Sequence, residues 1–95
     1  MAMKLTKRQR ELLERMAAGE ELVESGLEVW IGDERTNMQM LLFFLRNVLM
    51  SEDAGYSGAG SRYYYINEWG RRVLIEPDFD PQAELARAVH LPPEE

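Results

Sequence analysis

Few residues of this chain could do covalent or metal chemistry. There is one histidine, His90, and no cysteine. That leaves no thiolate nucleophile, no disulfide framework and no zinc ligand set. A lone histidine near the end of the chain has no partner to make it a catalytic base. The glycine-rich stretch from Gly55 to Gly60 (GYSGAG) has the composition of a phosphate cradle, but it lacks the Gly-Lys-Ser/Thr that opens a helix in such loops. Glu76, Asp78 and Asp80 place three carboxylates close together without the further ligands and terminal bidentate glutamate of a calcium loop. These patterns predict no catalytic residue, no metal and no cofactor, and the chain reads as a non-enzyme.

What remains is recognition chemistry. Tyr63, Tyr64 and Tyr65 precede Ile66 in a strand-like run. If Ile66 and Tyr64 face the core, period-two alternation turns Tyr63 and Tyr65 outward. Outward tyrosines can stack on bases or anchor a protein interface, and Trp30 in a neighbouring strand could join them or pack on them. Phe43 and Phe44, in a segment crowded with apolar groups, are further candidates for a partner face. A second set would serve a nucleic acid: Lys7, Arg8 and Arg10 with Arg62 and Arg46 for phosphates, and Gln39 for base edges.

Charge weighs on that choice. The net charge is −6 over 95 residues. Residues 1–16 carry +3, residues 17–32 carry −4 and residues 76–95 carry −5, while the remainder is balanced. A nucleic-acid binder usually presents a basic face, and here only the first segment is basic.

These candidates must be positioned by a small α+β domain. Thr6 and Gln9 form a capping box opening a helix with Leu12, Leu13, Met16 and Ala17 on one face, ended at Gly19. Alternation over 28–31 predicts a short strand, pairing with 21–24 as a hairpin across Ser25-Gly26. After a connection over Asp33–Thr36, with Thr36 as N-cap, a long helix is expected over 37–50. Met38, Leu41, Leu42, Leu45, Val48 and Leu49 make its apolar stripe, and Met40, Phe43, Phe44 and Met50 widen it. Such a helix needs cover on nearly all sides, which predicts a homodimer or a constant partner. A glycine-rich loop spans 51–61 and a strand 62–66, and Asn67 caps a short helix. Residues 1–75 read as the domain. Residues 76–95 read as an acidic extension with a helix over 81–89, of which only Phe79, Leu85 and Val89 should dock. The longest apolar run, Met40 to Leu45, is far short of the roughly 20 residues of a membrane span, and the basic start lacks an apolar core of signal type. The expected location is cytoplasmic.

The order of helix, strand, apolar helix, glycine-rich loop and Tyr64-x-Ile66-Asn67-Glu68-x-Gly70-Arg71-x-x-Leu74 resembles a small winged-helix domain. Many bacterial regulators end the wing strand in Tyr-x-Ile-Thr-Glu-x-Gly-Arg. Short proteins of bacteria and their prophages pair this ending with an Arg-Gln-Arg-rich first helix, as at Arg8-Gln9-Arg10. The resemblance covers roughly residues 5–75. It implies either a dimeric DNA-binding transcription regulator or a phage-encoded protein-binding module, such as an inhibitor of a host defence complex or enzyme. The sequence departs from the pattern with Asn67 in place of threonine. It also leaves too short a connection before the apolar helix for the first helix of a helix-turn-helix. On the sequence the protein-binding reading comes first and the DNA-binding reading second.

Overall fold

Thr6 and Gln9 make both halves of their capping box. The Thr6 hydroxyl accepts from the Gln9 amide at 3.1 Å, and the Gln9 side chain accepts from the Thr6 amide at 2.9 Å. In the computed structural model, which describes residues 4–55, 60–76 and 78–89, this box opens α1, Lys7–Ala17. Leu12, Leu13 and Met16 form its buried face.

Three strands follow as a meander: β1, Leu22–Ser25; β2, Glu28–Ile31; and β3, Glu34–Arg35. Both connections are two-residue turns whose first residue is a glycine in the left-handed region, Gly26 at φ 62° and Gly32 at φ 58°. That is the position where tight hairpin turns favour glycine. The hairpin expected around Ser25-Gly26 is present. β3 falls in the segment read as a plain connection: two polar residues carry no periodicity of their own.

The helix expected over 37–50 is shorter. α2 runs Met38–Arg46, and its N-cap is Asn37 rather than Thr36, with Asn37 Oδ1 accepting from the Met40 amide at 2.8 Å. Val48 then takes φ 60°, among the described residues the only left-handed one other than glycine. This reverses the chain so that Leu49 and Met50 enter the core from an extended segment. β4, Met50–Glu52, starts there and pairs with β5, Ser61–Ile66. An apolar Val-Leu-Met triplet satisfies a helical stripe and a strand start equally well, which is why the boundary was misplaced. Residues 56–59, the tip of the glycine-rich loop, lie outside the described residues, as do Pro77 and His90.

Asn67 caps α3, Glu68–Ile75, and α4 spans Pro81–Val89. The sheet is antiparallel throughout, in the order β3-β2-β1-β5-β4. Its centre joins distant parts of the chain, Leu22 opposite Tyr64 and Val23 opposite Tyr63. Leu22, Val29, Ile31, Met50, Tyr64 and Ile66 face one side of the sheet. There they form one core with Leu12, Leu13 and Met16 of α1, Leu41 and Phe44 of α2, Leu49, and Val73 of α3. The domain is two layers, helices on one face of a five-stranded sheet.

The C-terminal segment is tied to this body. Phe79, only 6% exposed, meets Trp69 edge-on at 6.2 Å, and the Arg72 guanidinium lies 3.9 Å above its ring. Pro81 is buried and Gln82 donates to the Arg46 carbonyl at 2.6 Å. Leu85, expected to dock, is exposed, and the Val89 side chain lies outside what is described.

Candidate functional site

Alternation that sends Leu22, Val29, Ile31, Tyr64 and Ile66 to the core sends their neighbours to the other side of the sheet. No described helix packs there. Reading across the strands, Arg35, Trp30, Val23 and Tyr63 stand in one row. The Asp53 amide donates to the Tyr63 carbonyl at 2.7 Å and extends the row to a fifth residue. Tyr65, opposite Ser51, stands in the next outward row and is 45% exposed, whereas Tyr64 between them is 3% exposed. Trp30, Val23 and Tyr63 are half-buried. The indole Nε1 of Trp30 donates to Glu28 Oε1 at 3.1 Å, which fixes the ring plane.

Carboxylates border this aromatic surface. Glu21, immediately before β1, continues the outward alternation, and Asp53 lies on the far side of β5. The two are hydrogen-bonding neighbours across the strand that carries Tyr63 and Tyr65. Burial pushes the Glu21 carboxyl up from its ordinary value, and the hydrogen bond and negative charge of Asp53 push it further. Asp53 Oδ1 also accepts from the Gly55 amide at 3.2 Å.

The other sequence candidates lie elsewhere. Phe44, expected on a partner face, is 0% exposed at the centre of the core and offers no surface to a partner. Phe43 is half-buried, 5.8 Å from the Phe44 ring, and lines a shallow cleft with Gln9, Gln39, Leu42 and Arg46. Much of the apolar excess that called for cover on this helix is therefore internal, and Leu42 and Leu45 remain outward. Lys7 and Arg10 are exposed on α1. Arg8 pairs with Glu34 and with Glu11, joining a network in which Arg15 binds Glu20 at 2.7 Å and Glu34 at 2.5 Å. The Arg8 hydrogen bond, with that of Arg15, holds the Glu34 carboxyl below its ordinary value. Arg62 shares the inward parity of Tyr64, at the end of the sheet beyond the helices. The Tyr64 hydroxyl, then the charges of Glu52 and Glu24, hold its proton more tightly than usual.

The basic and amide candidates are thus dispersed over α1, α2 and one sheet end, while Trp30, Tyr63 and Tyr65 share one face. Val23, Arg35, Glu21 and Asp53 were not singled out in the sequence. Val23 could have been found from the alternation of β1. Asp53 needed the β4–β5 register. Among the described residues no group of three His, Asp or Glu side chains could hold a metal, and no helix is long and apolar enough to cross a membrane. No known protein family, curated protein or solved structure matches the chain.

Proposed function

We propose that this protein is a non-catalytic binding module that takes a protein partner on the outer face of its sheet. The observation that carries this reading is the gathering of Trp30, Tyr63 and Tyr65 on one face that no described element covers. Large rings with few rotatable bonds lose little entropy on ordering and bury much area, so tryptophan and tyrosine dominate binding energetics. The same face could stack bases, but Glu21, Glu28 and Asp53 would repel the phosphates that come with them. Arg8 and Arg62, which a DNA reading needs for phosphate contacts, are engaged by carboxylates or a phenol. In the winged-helix comparison, β4 and β5 take the place of the wing. The single helix between β3 and β4 suits a scaffold used for protein contact better than one that reads DNA. Within this reading the protein belongs with small phage- or prophage-encoded proteins that inhibit a host defence complex or enzyme, acting in the cytoplasm.

The experiment is affinity capture from a bacterial host lysate by the immobilised full chain, beside Trp30→Ser and Tyr65→Ser variants of unchanged circular dichroism. A partner retained by the wild type and released by both variants supports the reading. Specific, salt-sensitive binding of a DNA duplex that Arg46→Ala weakens and Tyr65→Ser does not would replace it with the regulator reading.

A further inference from the structure

We infer that a second copy of this chain covers the outer sheet face of the isolated protein, sheet against sheet about a two-fold axis parallel to the strands. This rests on the docking reading above and names the occupant. A heterologous partner then competes with the second copy for the same face.

The argument is the order of charge along one row. From edge to edge, Arg35, Trp30, Val23, Tyr63 and Asp53 lie on β3, β2, β1, β5 and just past β4. A guanidinium stands at one end and a carboxylate at the other. A large ring stands one strand in from each end, and a valine stands in the middle. Strands are about 4.8 Å apart, so the two charges lie about 10 Å to either side of Val23. Arg35 is exposed and has no ion pair among the described residues. Asp53 Oδ1 accepts from the Gly55 amide at 3.2 Å, which orients the carboxylate without neutralising it.

A second copy turned over about an axis parallel to β1 and above Val23 presents the same row in reverse. Arg35 then faces Asp53 of the second copy, and Asp53 faces its Arg35. Trp30 falls over Tyr63 of the second copy, and the two Val23 side chains meet on the axis. One operation satisfies both charge pairs, and the isologous contact closes at two copies. Sheets packed face to face lie about 10 Å apart with strands aligned within about 30°, a gap that these side chains span. In the next outward row, Tyr65 falls over the β2 end of the second copy at Gly32, where no side chain opposes it, and on the other side Glu28 falls over Ser61. An axis across the strands would instead set Arg35 on Arg35 and Asp53 on Asp53, a costly juxtaposition. In the favoured arrangement Glu21 alone meets a like charge, because the β1 register, continued by one residue, puts it on the axis against its own copy. A face of five short strands is at the low end of interface size, so the expected dissociation constant is about micromolar. Self-association is thereby placed on the sheet and not on α2.

Sedimentation of the full chain from about 1 µM to about 1 mM reads the association, with circular dichroism confirming the fold of each variant. The wild type should dimerise, and the Trp30 indole signal of ¹⁵N-labelled wild type should move on dilution, a reading of the face that needs no variant. Arg35→Glu and Asp53→Lys should each weaken the dimer by about tenfold or more, because each sets two like-charge pairs in place of two attractive ones. Mixed in equal amounts, the two variants should recover the dimer, since each supplies the charge the other lacks. Glu21→Gln removes the like charge on the axis and should tighten it. A monomer at every concentration would remove the second copy and leave the docking face, which partner capture tests separately. A dimer indifferent to both charge reversals, or an unmoved indole signal, would overturn the inference by placing the contact on another surface. Failure of the mixture of folded variants to recover, or a weaker dimer in Glu21→Gln, would overturn the two-fold arrangement.

Discussion

Asn67 Nδ2 donates to the Val48 carbonyl oxygen at 2.9 Å, while Oδ1 of the same side chain accepts from the Gly70 amide at the same distance. The Asn67 amide nitrogen also donates to Leu49 O at 3.2 Å. One residue thus caps α3 and pins the left-handed turn through which α2 gives way to β4. This is a physical reason for asparagine where the resembled pattern has threonine: a hydroxyl can cap a helix, but it cannot also supply the second amide donor in that geometry. The pattern from Tyr64 to Gly70 is read best as the fastening of the fold, with the recognition surface on the residues between its core positions.

Replacing Asn67 should separate the two roles. Asn67→Thr keeps a cap and loses the bond to Val48, at an expected cost of about 1 kcal/mol. Asn67→Ala loses both, for about 2 kcal/mol. Val48→Gly should raise stability by about 1 kcal/mol by removing a left-handed β-branched residue. Urea unfolding measures all three, and a loss at Val48→Gly would show that the valine side chain packs well enough to outweigh its backbone strain.

Gly70 lies where α3 presses on the turn. A Cβ there would sit 2.3 Å from Leu49 O and 2.6 Å from Ile66 Cγ1. Because the nearest atom is backbone, relief requires α3 to move. Gly70→Ala should destabilise by about 3 kcal/mol, despite alanine's better helix propensity. Unchanged stability in the same assay would mean that α3 stands further from Leu49.

Phe79 makes the C-terminal segment part of the body. Phe79→Ala should cost about 3 kcal/mol, the range for a buried phenylalanine. Truncation after Glu76 should cost at least as much, because Pro81 and the Gln82 bond to the Arg46 carbonyl go with it. Thermal melts of both forms check this, and a truncated chain as stable as the whole would show that Phe79 contributes nothing net.

Local signals in the sequence are those the fold uses locally. The Thr6–Gln9 box, the Ser25-Gly26 turn, the alternation over 28–31 and 62–66 and the Asn67 cap all mark their elements, because each involves residues a few positions apart. The left-handed turn at Val48 had no local cue, since valine disfavours that region and the partner of its carbonyl, Asn67, lies 19 residues further along the chain. β3 was missed for the same kind of reason: Glu34 and Arg35 become a strand only because Gly32 folds them back onto Trp30 and Ile31. In the candidate site, alternation alone turns Tyr63 and Tyr65 outward. That Trp30 joins them depends on β1 lying between β2 and β5, a pairing between distant segments that no short-range pattern encodes. Phe44 was misplaced because apolar content cannot tell the core side of a short helix from a partner side.

Stability should pass through a maximum on the acid side of neutrality. The Glu21 carboxyl is raised, chiefly by burial and then by Asp53, so its contribution is favourable below the ordinary 4.5 and lost as pH rises through its folded value. Glu20, Glu34 and Glu76 are lowered by arginine partners, so their contributions are present above 4.5 and lost as pH falls through their folded values. Glu21→Gln should therefore stabilise the protein at neutral pH and flatten the upper limb of the curve. Melting temperatures from pH 3 to 8 for both proteins decide this. An unchanged upper limb in the variant would place the effect on another group.

The central claim is that binding runs through the outer sheet face, and the most direct measurement is the affinity of the captured partner for three forms of the chain. These are the wild type, Trp30→Ser/Tyr65→Ser on the outer face, and Lys7→Ala/Arg10→Ala on α1, each with its melting temperature. The face variant should bind at least about a hundredfold more weakly, as the loss of two aromatic anchors of this kind implies. Its melting temperature should stay near that of the wild type, and the α1 variant should bind as the wild type does. Full affinity in the face variant with loss in the α1 variant would contradict the account and move the functional surface to the helical layer.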